Sequence, residues 1–175
     1  MLGKFKTAVV LLVIGAISGF LIWGTNELTS EDILANRELR EQGYYKEIFG
    51  LDEAVQISYQ VVEISDGFKE IEIKNDAQET LGYIYKSELQ NTYGEITVLV
   101  GIDAVGVIQN VIISSTTNTP NNVKTIKDNY LTPFVGQTIT SISYDSKTGS
   151  TFTYNSVKSS VAASADYFMN NRGDE

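Results

Sequence analysis

The 175-residue chain contains neither cysteine nor histidine. Without cysteine it can form no disulfide, offer no thiolate nucleophile and hold no iron–sulfur cluster through its own side chains. Without histidine it lacks the commonest general base near neutral pH and the commonest ligand for transition metals. A hydrolase built on a Ser-His-Asp set is therefore excluded, and a redox role would need a bound cofactor to supply the chemistry.

Proline and basic residues are also scarce. With only 2 prolines and 42% hydrophobic residues, the chain can bury a real core, and its length suits one domain plus an appendage. The 13 Lys and Arg residues face 22 Asp and Glu residues, which gives a net charge of -9. A nucleic-acid partner is disfavoured, because binding to a phosphate backbone requires an excess of basic side chains.

One long apolar run stands near the N-terminus. Residues 7–26, "TAVVLLVIGAISGFLIWGTN", carry no charge, and a helix of this length crosses a bilayer core of about 30 Å. Basic residues precede the run and acidic residues follow it: Lys4, Lys6, Glu27, Glu31 and Asp32. The positive-inside rule then predicts a cytoplasmic N-terminus and an outer domain. A signal peptide cleaved near "AIS" (16–18) is the alternative, although the apolar run continues beyond it to Trp23.

The remaining patterns predict an α+β fold, with a mostly antiparallel twisted sheet and packed helices. We expect a membrane anchor at 1–28, a helical stalk at 29–50 that begins at Thr29 or Ser30, and an extracytoplasmic domain at 51–175. Strand patterns, alternating at 55–62 and 69–74 and near-continuously apolar at 95–103, predict strands there and at 81–89, 107–116 and 137–144. Helical spacing predicts helices at 121–134, with Val123, Ile126, Tyr130 and Phe134 on one face, and at 156–171, with Val157, Val161, Ala165 and Phe168 on one face.

A hydroxyl-rich turn, "DSKTGSTFT" (145–153), lies between the last predicted strand and the last predicted helix. Free N–H groups at a helix start form an anion site, and Gly149 permits close approach of a phosphate. Ser150, Thr151 and Thr153 add hydroxyl groups. By itself the stretch favours an ordinary polar turn with an N-cap over a phosphate site, because Ser and Thr before a helix are usually N-caps and it lacks the P-loop pattern.

The segment "DSKTGST" resembles the flavinylation signature D-x-x-[ST]-G-[AS]-T of FMN-binding domains in the Rnf and Nqr respiratory complexes. The resemblance implies a covalent FMN, joined to Thr151 by a phosphoester bond that a separate flavin transferase installs. It also implies that Asp145, Thr148, Gly149 and Ser150 are the recognition residues. Ser150 stands where the family usually has alanine.

Other segments resemble the G subunit of Rnf complexes in the same order. They are the stalk "NELTSEDILANRELREQGYYKEIFG", the central block "LGYIYKSELQNTYGEITVLVGIDAVGVIQNVIISS" and the final helix "SVKSSVAASADYF". The family's Glu-Thr-Pro-Gly-Leu-Gly stretch, which lines the flavin, corresponds to "NTPNNV" (118–123). Thr119 and Pro120 match and are candidate cofactor contacts, whereas Asn118, Asn121 and Asn122 depart from the pattern.

The resemblance implies an electron-transfer subunit of an Rnf-type translocase in a bacterial cell membrane. Such a complex couples electron flow between ferredoxin and NAD to Na⁺ or H⁺ transport, with other membrane and peripheral subunits as partners. The chain itself shows no NAD fingerprint, catalytic set or metal cluster. The alternatives are an NqrC-like subunit, a stand-alone extracytoplasmic flavoprotein carrier, and a flavin-free anchored binding or scaffold domain. Tyr144, Phe152 and Tyr154 flank the turn, where they either stack on the ring or pack as ordinary strand-end residues.

Overall fold

A computed structural model of the protein describes residues 2–144 and 149–172. Its first element, helix α1, spans Leu2–Ile48 and is 47 residues long. Within α1, the segment Lys6–Asn26 has a mean hydropathy of 2.2 and is exposed along its length. This N-terminal segment is long and apolar enough to cross a membrane.

The predicted start of a separate stalk helix at Thr29 or Ser30 is wrong, because α1 continues through both residues. The Thr29 hydroxyl donates a hydrogen bond to the Thr25 carbonyl oxygen at 2.8 Å, one helical turn earlier, instead of capping a new helix. Residues 25–42 contain neither proline nor glycine. Nothing in that stretch interrupts the backbone hydrogen bonds, so the helix runs on.

The chain divides into two compact units, Met1–Gln42 and Gly43–Glu175. The described part of the first unit is the greater part of α1. The second unit begins with the last turn of α1, where Tyr45 and Ile48 are buried, and contains the sheet and the remaining helices.

The sheet has five antiparallel strands in the order β1-β2-β3-β4-β5, so each strand pairs with its neighbours in sequence. Four of the predicted strands are found within a few residues of their expected bounds, and the first begins three residues later than 55. The strands are β1 (Ser58–Ser65), β2 (Phe68–Lys74), β3 (Thr80–Asn91), β4 (Gly94–Asp103) and β5 (Ile108–Thr116).

The strand predicted at 137–144 is wrong. Its residues form one isolated bridge, between Val107 and Thr138, followed by a 3-10 helix at Ile139–Ser141. The Ile139 N–H bonds the Gly106 carbonyl oxygen at 2.9 Å, and the Ile139 side chain is buried. The chain therefore turns inward to bury this isoleucine, which ends the pairing that the alternating pattern predicted.

The described helices that follow the sheet are α2 (Pro120–Asn129), a 3-10 helix (Thr132–Phe134) and α3 (Thr151–Arg172). The predicted helix at 121–134 thus ends at 129, and its Pro133 lies in the 3-10 turn. Both predicted apolar faces are largely confirmed. On the first predicted face, the buried residues are Val123, Ile126 and Phe134, while Tyr130 is half-buried. On the second, all four predicted residues are buried: Val157, Val161, Ala165 and Phe168.

The sheet separates two hydrophobic clusters, because successive side chains of β4 point to opposite faces. Val98 and Val100 join the α2 and α3 residues in the larger cluster, whereas Leu99 joins the last turn of α1 in the smaller one. A Cβ at Gly101 would collide with Ile48 Cγ2, so glycine allows the last turn of α1 to lie directly on β4. The larger cluster fixes the start of α3 relative to the sheet.

Candidate functional site

The hydroxyl-rich stretch ends at the start of α3. The Ser150 carbonyl oxygen accepts the Tyr154 N–H at 3.0 Å, which is the bond that an N-cap residue makes. Thr151 is therefore the first helical residue, and its side chain is exposed. The sequence pattern places the first helical residues nearer Val157. The helix begins earlier because Thr153 and Tyr154 are also buried and extend its inner face by a turn.

Two of the predicted recognition residues, Asp145 and Thr148, lie outside the described residues. Gly149 is exposed, and no described heavy atom lies within 4 Å of the position that a Cβ would take. The side chain of Ser150 is buried, and its hydroxyl donates to Asn122 Oδ1 at 3.4 Å. Space next to the glycine is thus open, while the serine faces inward.

The structure brings the "NTPNNV" segment (118–123) to the start of α3. Thr119 is the N-cap residue of α2 and makes no side-chain capping bond, and Pro120 is its first helical residue. Both are exposed. On either side of them, Asn118 accepts the Thr153 hydroxyl at 3.0 Å and Asn122 accepts the Ser150 hydroxyl. The two candidate segments therefore form one surface, with their polar residues bonded beneath it.

Asn118 is the centre of this polar network and is only 4% exposed. Besides Thr153, its Oδ1 accepts Asn91 Nδ2 at 2.9 Å, from the end of β3. Its Nδ2 donates to the Glu95 carbonyl oxygen at 3.2 Å, at the start of β4. A single buried amide thus ties the β3–β4 turn and the segment before α2 to the first turn of α3.

The aromatic residues around the turn have different environments. Phe152 is 48% exposed and contacts Tyr93, which is 43% exposed, with ring centroids 5.6 Å apart and ring planes at 81°. We call these two residues the aromatic platform. Tyr154 is buried against Tyr130 and Phe134, as ordinary core packing. Tyr144 is 39% exposed and packs on Phe134, and burial, followed by the charge of Asp166, raises its pKa.

Sequence reasoning missed Asn91 and Tyr93 as members of the site. A signal was present, since "NTYG" (91–94) places a large aromatic ring in a polar hairpin turn. In the structure the Tyr93 N–H bonds Asn91 Oδ1 at 2.8 Å, an Asx turn that fixes the tyrosine. That this turn lies beside α3 depends on the sheet and could not be seen from the local pattern.

The described residues of the site offer a helix start for an anion and no cluster of metal ligands. The first N–H groups of an α-helix lack intrahelical partners and carry the positive end of the helix dipole. Within the described ranges, no group of three or more His, Cys, Asp or Glu side chains could hold a metal ion. The chemistry available at the surface is thus a helix start, hydroxyl groups and exposed aromatic rings.

A separate groove of about 340 Å³ lies along α2. It shares Asn118 and Pro120 with the site, but no residue of α3 lines it. Its lining residues are Thr116, Asn118, Pro120, Val123, Lys124, Lys127 and Asp128.

A scan against protein-family models found no match to the chain, and a search of the curated proteins found none either.

Proposed function

We propose that the protein is a membrane-anchored electron-transfer subunit that carries FMN as a phosphoester on Thr151. The observation that carries the proposal is the pair of hydrogen bonds Thr153–Asn118 and Ser150–Asn122. These bonds join the hydroxyl-rich stretch 145–153 to the stretch 118–123, although the bonded residues lie 28 and 35 positions apart in the sequence. Such a meeting is expected of a cofactor site and is not required of an isolated polar turn.

The residues present fit this cofactor. Thr151 is the first residue of α3 and is exposed, as attachment by a separate enzyme would require. For attachment, the Thr151 oxygen would attack the flavin-side phosphorus of a flavin dinucleotide held by the transferase. The pyrophosphate bond breaks, a nucleoside monophosphate leaves and the hydroxyl proton is released. The helix N-terminus favours the charge of the resulting phosphodiester. Exposed Thr119 and Pro120 adjoin the same surface. When bound, FMN would supply the electron transfer that this chain, without cysteine or histidine, cannot perform.

The buried polar network would keep the attachment point in place. Thr153 is fully buried and bonded to Asn118, so the first turn of α3 is held to the sheet. A rigid attachment favours electron transfer because the distance to a partner cofactor stays fixed. Covalent attachment also retains the flavin outside the cytoplasm, where a dissociated cofactor would be lost.

The apolar segment Lys6–Asn26 would hold the domain at the membrane. Lysines on its N-terminal side favour a cytoplasmic N-terminus and an extracytoplasmic flavin domain. No charged residue lies within 7–26, so an ion path through this segment alone is disfavoured. The resemblance then favours a role beside ion-translocating subunits of an Rnf-type complex, with electrons passing between ferredoxin and NAD elsewhere in the assembly.

The test is covalent flavin on the denatured protein. The full chain is coproduced with an active flavin transferase, purified and run on a denaturing gel, and the band is examined for flavin fluorescence. We expect fluorescence from the wild type and from Thr119→Ala, and none from Thr151→Ala. Thr119 is the matched control, since it is also an exposed threonine at the start of a helix. A dark wild-type band, or a fluorescent Thr151→Ala band, would contradict the proposal, and a dark band would favour a flavin-free anchored domain.

A further inference from the structure

The aromatic platform is the exposed apolar feature next to the attachment residue. Phe152 directly follows Thr151, and Tyr93 reaches it from the β3–β4 turn. The planes of the two rings meet at 81°, with one ring edge directed at its neighbour. In an edge-to-face pair, one ring points its edge at the other, so the second ring covers neither face of the first. A flat aromatic group can therefore stack there.

The same hydrogen-bond network that fixes the start of α3 also fixes the platform. The Tyr93 N–H bonds Asn91 Oδ1 at 2.8 Å, and Asn91 Nδ2 donates to Ser156 Oγ at 3.0 Å. Ser156 lies one turn further along α3 than Phe152, whose carbonyl oxygen it bonds at 3.2 Å. Tyr93 and Phe152 are thus held together before any ligand is bound, which lowers the entropic cost of stacking.

From this geometry we infer that the isoalloxazine ring of an FMN on Thr151 packs against the aromatic platform, stacked on one of its two rings and in edge contact with the other. This inference rests on the proposed function. A groove along α2 also lies near the site, but its lining residues include none from α3 or the β3–β4 turn. The platform contains Phe152, which follows Thr151 in the chain, so it lies within reach of a ring tethered at that threonine through the ribityl chain of FMN.

Tyr93 gives the inference an optical signature. A phenol ring in contact with a photoexcited flavin donates one electron to it and then recovers that electron, which quenches the fluorescence without net chemistry. A phenylalanine ring is too difficult to oxidise to do this, although it stacks equally well. Tyr93→Phe therefore keeps the contact and removes the electron donor.

The experiment measures the fluorescence lifetime of the flavin in the native, flavin-loaded full chain. We expect the wild type to be strongly quenched and Tyr93→Phe to lose that quenching. Tyr144→Phe is the matched control, because Tyr144 is similarly exposed but packs on Phe134. Its lifetime should equal that of the wild type. Gel fluorescence of each denatured variant reports whether the flavin is attached.

The outcomes separate the two proposals. A Tyr93→Phe protein that carries flavin and keeps the wild-type lifetime would overturn the ring placement and leave the attachment at Thr151 intact. Relief of quenching by Tyr144→Phe in place of Tyr93→Phe would also overturn it. A wild-type chain without covalent flavin would overturn the proposed function, and the ring placement with it.

Discussion

Replacement of Asn118 by alanine tests the polar network beneath the site most directly. The substitution removes one buried amide, with its bonds from Asn91 and Thr153 and its bond to the Glu95 carbonyl oxygen. It changes no exposed residue of the candidate surface. The expected result is a less stable domain in which the first turn of α3 is loosened from the sheet.

The magnitude follows from the three hydrogen bonds. Each contributes about 1 kcal/mol net, and a buried group left without its partner costs about 1–3 kcal/mol. The Thr153 hydroxyl, on a residue 0% exposed, loses its Asn118 acceptor. Since these costs overlap, we expect Asn118→Ala to lower the free energy of unfolding by about 3 kcal/mol. Exposed Asn121 is the control, and Asn121→Ala should change the free energy of unfolding by less than about 0.5 kcal/mol.

The assay is guanidinium unfolding of the full chain in detergent micelles, followed by the near-ultraviolet circular dichroism of the buried tyrosines. A double-mutant cycle with Thr153→Ala adds a second check. The two substitutions together should cost less than the sum of their separate costs by about 1 kcal/mol, because they remove the same bond. Equal stability of Asn118→Ala and Asn121→Ala, or strict additivity in the cycle, would refute the reasoning.

Three further predictions concern the fold around the site. Burial, and then the hydrogen bond to Glu70, raise the pKa of Tyr85 above its ordinary value of 10.0. Above pH 10 Tyr85 loses its proton in the unfolded chain but keeps it in the folded one, so the free energy of unfolding falls by up to about 1.4 kcal/mol per pH unit. In chemical unfolding measured across this pH range, Tyr85→Phe should lose less stability than the wild type. Arg172→Gln leaves buried Glu70 without its ion-pair partner at 2.9 Å, and it should lower the free energy of unfolding by about 3 kcal/mol, measured by chemical unfolding. The double variant Arg172→Gln, Glu70→Gln should recover part of that loss. Gly101→Ala should lower the melting temperature by several degrees, because its Cβ collides with the last turn of α1. Gly43→Ala has open space and should be neutral or stabilising. A lower melting temperature for Gly43→Ala than for Gly101→Ala would contradict the packing.

Local patterns in the sequence predicted most of the secondary structure. Short apolar runs over β2, β3, β4 and β5 and helical spacing at 156–171 reflect the burial of side chains within each element, so they can be recognised without knowing the neighbour. The apolar helix at the N-terminus follows from composition alone. Failures occurred where another part of the chain decided the conformation, as at 137–144, where the burial of Ile139 replaced a strand by a turn.

The sequence by itself determined the class of elements, the exclusion of cysteine and histidine chemistry, and the choice of Thr151 as the residue to test. Only the tertiary structure decided what surrounds that threonine. Asn118 and Thr153 meet across 35 residues, and Tyr93 meets Phe152 across an even longer interval. Such contacts depend on how strands register and how helices pack on them, and neither is encoded in the local spacing of residue types.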